Sequence, residues 1–355
     1  MPSNNRPSNY NRSNGINRTR TATHARQDEA LRLREGGMSY IDIARRLGWT
    51  PNGVPRPQSA SEACRAARLR REAGNPVAIA NTAVRTVANR MSNRTYGVEI
   101  EFFNITPNKA LTALTAVGIL TAIEGYNHHT RPHWKITTDA SVTSRGTGVS
   151  QGLELVSPIL QGEAGLEITA KAVKALLDAG AKVDKTCGLH VHVGADGMTG
   201  ADILRVIDIY TANGSHIDSV LAQSRHNTRW AKKYTQAHRS YNAQRIQNLA
   251  TAIDTASITE AINRLAVDRY QTVNLASYLR HGTVEFRQHQ GTLNGEKIAT
   301  WVRLVLSIVE KAIVTDDASA LTDLGSLDAF MTNLGLADET KQFLNRRAST
   351  LALSR

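Results

Sequence analysis

From residue 95 onward, short stretches of the chain alternate apolar and polar residues with period two. TYGVEIEFFN (95–104) sets Val98, Ile100 and Phe102 against Glu99 and Glu101. CGLHVHVG sets Leu189, Val191 and Val193 against His190 and His192. In HGTVEFRQHQGTL, a strand over 283–289 places Glu285, Arg287 and His289 on one face and Val284, Phe286 and Gln288 on the other. Alternation of this kind is the signature of half-buried strands. WKITTDASV (134–142) and the GLELVSPIL segment carrying Glu154 read as two more. Between them the spacing becomes helical. It predicts a helix over 107–129, with Pro107 in its first turn and Gly125 near its end, and another in ITAKAVKALLDAGAKV, closed by Gly180. Helices are also expected over much of 199–278, in EKIATWVRLVLSIVEKAIV, and as short pieces from residue 320. The fold class implied is α+β.

The first 95 residues have a different texture. Residues 1–24 hold hardly any apolar side chain and cannot offset the entropy of ordering, so a disordered basic tail is expected. Over 25–95 a small basic all-α module is expected. RQDEALRLREGG forms a helix from Arg26 with Ala30, Leu31 and Leu33 on its buried side and Gly36–Gly37 as its stop. Ser39 then caps YIDIARRLG, with Ile41, Ala44 and Leu47 at helical spacing. The pair resembles the opening of a helix-turn-helix, but Pro55 and Pro57 exclude a recognition helix directly after it. Cationic helices over 59–74 and 76–91 follow. The remaining boundaries are 96–320 for a second, larger domain and 321–355 for a helical tail packing on it.

Charge reinforces this division. The chain carries a formal +12, but residues 1–95 hold 17 arginines, no lysine and 6 acidic residues, while the other 260 are nearly neutral. The basicity belongs to the N-terminal part. Its arginines suit non-specific contact with nucleic acid, a protein partner, or plain solvation of a cationic arm; base-specific reading is not supported. Two cysteines, Cys64 and Cys187, are too few for a disulfide framework or a thiolate metal site. No apolar run is long enough to cross a membrane and no signal peptide is recognisable, so a cytoplasmic location is expected.

The chemistry lies in the phase of the strands. Carboxylates are poor strand formers and repel one another on a pleated face. Here Glu99 with Glu101, Glu154, and Glu285 recur in phase beside His190 and His192. A divalent cation would neutralise such a face, and the oxygen-rich donor set suits Mg²⁺ or Mn²⁺. No GxxxxGK[ST] loop is present to hold a nucleotide.

YGVEIEFF, the DxS of Asp139 to Ser141, GLELVSPIL, TCGLHVHVG and HGTVEFRQHQGT together resemble the signature segments of the phage-encoded amidoligase family. That family belongs to the glutamine-synthetase-like carboxylate–amine ligases. The resemblance spans roughly residues 96–310. It implies a glutamine-synthetase-like antiparallel sheet with flanking helices that holds ATP and Mg²⁺, with Mn²⁺ as a substitute, on its concave face. By the same resemblance Glu99, Glu101, Glu154, His190 and Glu285 are metal ligands. Glu101, Glu285 and Arg287 are the catalytic positions, with Arg287 on the transferring phosphoryl group. His192 and His289 stand nearby, and Asp139 substitutes for a second glutamate of the middle hairpin. Arg269, Asn274 and Lys233 are further candidates for nucleotide contact.

The activity implied is ATP- and Mg²⁺-dependent joining of a carboxylate to an amine, on a peptide or protein, through an acyl phosphate. A metal-dependent nuclease and a non-catalytic, virion-associated protein are the alternatives. The first would cut polynucleotide with metal alone, and the second would bind ATP without turnover. Cys187, just before the histidine strand, reads as a small buried thiol in preference to a nucleophile.

Overall fold

Buried alternation along each strand organises the larger part of the molecule. The computed structural model describes residues 12–35, 38, 40–50, 53, 59–60, 63–64, 67, 91–144, 146, 151–226, 228–315 and 323–353. The expected stop at Gly36–Gly37, the Ser39 cap, the Pro55/Pro57 segment, most of the 59–74 helix and nearly all of the 76–91 helix lie outside the described residues. The chain divides into two compact units, Met1–Ala83 and Val84–Arg355.

In the first unit a helix runs Arg12–Glu35 and a second Tyr40–Arg46. The first of these helices includes residues 12–24 of the stretch read from sequence as a tail. Nucleating a helix is its costly step, and extension from an anchored turn adds one hydrogen bond per residue. The anchor is apolar: Ala30, Leu31 and Leu33 pack with Ile43, Ala44, Ala60, Ala63, Cys64 and Ala67. Arg26 donates to the Leu47 carbonyl and lies over the Trp49 ring, 4.9 Å from its centroid. Arg32 and Arg45 pair with Glu29 and Asp42 one turn away. Several arginines are thus engaged within the unit itself.

The second unit is a mixed α/β arrangement built on one eight-stranded sheet. Its strands are β1 (Thr95–Phe102), β2 (Thr121–Ile123), β3 (Trp134–Asp139), β4 (Gly152–Val156), β5 (Leu160–Gln161), β6 (Gly188–Gly194), β7 (Val273–Asn274) and β8 (Thr283–Gln290). Their order is β2-β3-β4-β1-β6-β8-β7, with β5 also on β1, and only β2–β3 is parallel. One face is apolar. Val98, Ile100, Leu155, Val191, Val284 and Phe286 are fully buried there, each contributing about 1.5–3 kcal/mol by leaving water. The helix Gly295–Val314 packs on this face through β6 and against the helices Gly162–Asp178 and Gly200–Ala212. Phe330, Met331 and Leu344 of the C-terminal helices Leu327–Asn333 and Asp338–Leu353 join the same core.

Two expectations are corrected. The predicted helix over 107–129 ends at Ala116. Gly118, at φ 76°, reverses the chain while Ile119 N–H returns to the Leu114 carbonyl, and the apolar residues beyond enter β2. The second correction concerns β8. Val191 faces Phe286 and Leu189 faces His289, so Arg287 and Gln288 together stand opposite His190. This β-bulge shifts the phase of the strand. His289 is turned away from Glu285 and Arg287 to the helical side, where its ring meets Trp301 at 5.2 Å, and burial pushes its pKa down to about 3.

Candidate active site

The polar face of the sheet is assembled by register. Glu101 stands directly opposite Glu154, Glu99 opposite His190, and His192 opposite Glu285. Side chains on directly opposed residues lie on the same face and within reach of each other. Asp139, at the end of β3, extends the row. Five strands therefore bring Glu99, Glu101, Asp139, Glu154, His190, His192, Glu285 and Arg287 together.

The distances are those of a donor cluster. His190 Nδ1 is 3.1 Å from Glu99 Oε2 and 3.8 Å from Glu285 Oε1, and its Nε2 is 3.6 Å from Glu101 Oε1. His192 Nε2 is 3.4 Å from Glu99 Oε1. Three sets of donor atoms gather within 4.8 Å: Glu99–Glu154–His190, Glu99–His192–Glu285 and Glu101–Asp139–Glu154. Glu99 and Glu154 each belong to two of the three.

Charge is compensated unevenly along this row. At one end Glu285 is bound by Arg287 and receives Asn274 Nδ2 at 2.6 Å. Burial works against its ionised form, but Arg287 and His192 outweigh it and hold the carboxyl below the usual range. Glu99 behaves alike, with His192 and His190 overcoming its burial. The other end is acidic. Burial, reinforced by Glu99, Glu101 and Asp139, pushes Glu154 well above the usual carboxylate range. Glu101 is raised by burial too, although Gly188 N–H donates to its Oε2 at 2.7 Å. An oxygen-rich cluster with a surplus of negative charge fits a hard divalent cation. Arg287 Nε, buried without a hydrogen-bond partner, is a donor that fits an anion beside it.

Two residues that the sequence did not single out support this face. Arg225, 4% exposed, donates to the carbonyls of Arg287 at 2.8 Å and Gln288 at 3.2 Å. These are the two residues of the bulge, so a buried guanidinium satisfies carbonyls there and braces Arg287. Nothing in the local sequence marks Arg225. Thr137 does leave a sign, since it precedes Asp139 by two residues in the same phase. It stands opposite Glu154 with its buried hydroxyl unpartnered.

Other candidates lie elsewhere. Lys233 binds Asp218, whose second oxygen accepts Gln288 Nε2 on the helical side of β8. Arg269 is exposed and stacks on Tyr270 at 5.1 Å. Cys187 is buried 3.9 Å from Asp184 Oδ1, and burial raises its thiol to about 12, leaving it protonated at neutral pH.

The family model described as "putative amidoligase enzyme" matches residues 92–309, the stretch that carries these segments. The chain belongs to this amidoligase family. No curated protein matches it. The amidoligase match contains every strand of the sheet and every donor of the cluster. It ends within the helix Gly295–Val314 that supports them. Among the described residues no helix is long and apolar enough to cross a membrane.

Proposed function

We propose that this chain is an ATP- and divalent-metal-dependent carboxylate–amine ligase of the glutamine-synthetase-like superfamily. The observation that carries the reading is the row of three donor sets sharing Glu99 and Glu154, ending at Arg287. Mg²⁺ bound by these sets would neutralise the polyphosphate and polarise the phosphoryl group under transfer. The residues themselves do the rest. Glu99, Glu101, Asp139, Glu154, His190, His192 and Glu285 supply the donors. Asn274 and the Gly188 amide orient the Glu285 and Glu101 carboxylates. Arg287 presents a planar fork to the charge that spreads over the phosphoryl oxygens, a match that a lysine cannot make. In the overall reaction the γ-phosphoryl group of ATP passes to a carboxylate oxygen. The nitrogen of an amine then attacks the acyl carbon of that acyl phosphate. The C–O bond to phosphate breaks, the nitrogen loses a proton, and amide, ADP and phosphate are released.

The direct test measures ADP and phosphate release with Mg²⁺ across amino acids, polyamines and peptides. Mass spectrometry looks for a product lighter by one water than its two substrates. Wild-type release no greater than that of Glu285→Gln across the whole screen defeats the reading. Cleavage of polynucleotide with metal alone, abolished by the same substitution, would replace it with a nuclease.

Two substitutions probe individual parts. Arg287→Lys is expected to lower turnover about 10²–10³-fold while Mg-ATP affinity changes by less than about fivefold, because the fork acts on charge developed in transfer. Parallel titration and turnover measurements check this. Asn274→Ala frees the Glu285 carboxylate without removing a donor. Mn²⁺ affinity by calorimetry should fall about 10–100-fold with circular dichroism unchanged, the usual effect of losing a residue that orients a ligand. Unchanged Mn²⁺ affinity would leave Asn274 without that part.

A further inference from the structure

The connection between β2 and β3 uses its polar side chains to fix its own shape. Glu124 accepts from Arg131 Nε at 3.0 Å and Asn127 Nδ2 at 2.9 Å, and pairs with His133 Nε2 at 3.1 Å. Lys135, itself buried, donates to the Asn127 carbonyl at 2.9 Å and side chain at 3.1 Å. A loop braced this thoroughly nonetheless holds two rings out to solvent. Tyr126 is 61% exposed and His128 is exposed beside it.

These rings are part of a longer series. Tyr126 meets His128 edge-on at 5.0 Å between centroids; His128 lies 6.5 Å from His281; His281 meets His192 edge-on at 5.8 Å. His192 is already in the donor cluster, so the series runs from the cluster out to the surface. Its position is set by topology. β3 and β8 are separated by β4, β1 and β6, roughly 19 Å at the usual strand spacing. The loop from β2 and the turn before β8 meet across that width, at the end of the sheet where β1, β3 and β8 begin. They wall that end of the polar face. Arg269 and Arg280 are both exposed and both act electrostatically on His128. The opposite end is different in kind: the carboxylates Glu101, Asp139 and Glu154 gather there with the Gly188 amide.

We propose that Tyr126 and His128, with His281 beside them, form the platform on which the base of a nucleoside triphosphate stacks, Arg269 and Arg280 facing the phosphates that the donor sets do not reach. This rests on the ligase reading and divides its site. The nucleotide lies at the His192 end, and the acceptor carboxylate enters at the Glu154–Asp139 end. Exposed π-faces suit any base, and each stacked base is worth a measurable part of affinity. A chain of triphosphate held by the donor sets and Arg287 leaves its base one short step away, where the rings are. An acceptor has no comparable need of them.

The test compares two ligands that differ by the nucleoside. Full-length protein with Mg²⁺ is titrated by calorimetry with ATP and, separately, with inorganic tripolyphosphate. The double variant Tyr126→Ala/His128→Ala should bind ATP about 10–100-fold more weakly and tripolyphosphate within about twofold of wild type. Tyr126→Trp should retain ATP affinity, which guards against a loop that has simply come apart. Equal ATP affinity in the wild type and the double variant overturns the platform, as does an equal loss for both ligands. Normal ATP binding by the double variant with a raised requirement for the acceptor assigns the rings to the acceptor instead and overturns it too. A wild type that binds neither ligand removes the ligase reading, and the platform with it.

Discussion

Replacing Glu99 with glutamine is expected to lower metal-dependent ADP release by about 10³-fold or more. That corresponds to roughly 4 kcal/mol of barrier. The reason is position. Glu99 lies opposite His190, touches His192, and belongs to two of the three donor sets, so its loss weakens both at once. Glutamine keeps the shape but removes the charge that a hard cation needs. The effect should divide between affinity and rate. Mn²⁺ titration should show at least one class of site lost, and raising Mg²⁺ should recover only a small part of the turnover. A variant that regains wild-type turnover at high Mg²⁺ would show that Glu99 serves metal affinity alone, with no share in the chemical step. A variant with normal Mn²⁺ stoichiometry would show that Glu99 is not a ligand.

Glu154→Gln should have the opposite effect on stability without metal. Glu154 is half-buried beside Glu99, Glu101 and Asp139 and keeps its proton well above the usual carboxylate range. Its folded pKa exceeds its unfolded one. Its contribution is therefore complete below the usual carboxylate range and is lost as pH rises through the raised value. Above that window the metal-free wild type carries an ionised, uncompensated carboxylate, and glutamine relieves about 1–3 kcal/mol of that cost. Metal reverses the order. At a hundredfold excess over Kd, a bound ion stabilises the wild type by about 2.7 kcal/mol, and the variant, lacking a donor shared by two sets, gains less. Melting curves of both proteins from acid to mildly alkaline pH, with chelator and with Mg²⁺, check this. Wild type more stable than Glu154→Gln in chelator at alkaline pH would show that no such strain is stored.

What the sequence made legible was phase. Glu99, Glu101, His190, His192 and Glu285 were assignable to one face because each alternates with a core residue, and the face is where the structure gathers them. Partnership was less legible. That His192 faces Glu285, or Glu101 faces Glu154, depends on register between strands distant in the chain, and alternation within a strand is silent on register. His289 shows the limit: counting by twos carried it to the wrong side because one bulge intervened. Gly118 shows another. Its turn divides a run, VGILTAI, whose apolar content reads equally as helix or strand. Arg225 was invisible for a different reason, since its partners are main-chain carbonyls that carry no residue identity.

The antiparallel order also decides when the centre can come into being. Glu99 and Glu285 belong to one donor set, yet most of the catalytic unit's chain lies between them. No fragment containing only β1, β4 and β6 holds the whole set, and a chain emerging in order has it incomplete until β8 pairs with β6. Such distant pairings form late and slowly, after the closure entropy of the intervening chain has been met. Two of the three sets, Glu99–Glu154–His190 and Glu101–Asp139–Glu154, need only β1, β3, β4 and β6, so they are complete before β8 arrives. The proposed centre would therefore be assembled in stages, with Glu285 and Arg287 added last.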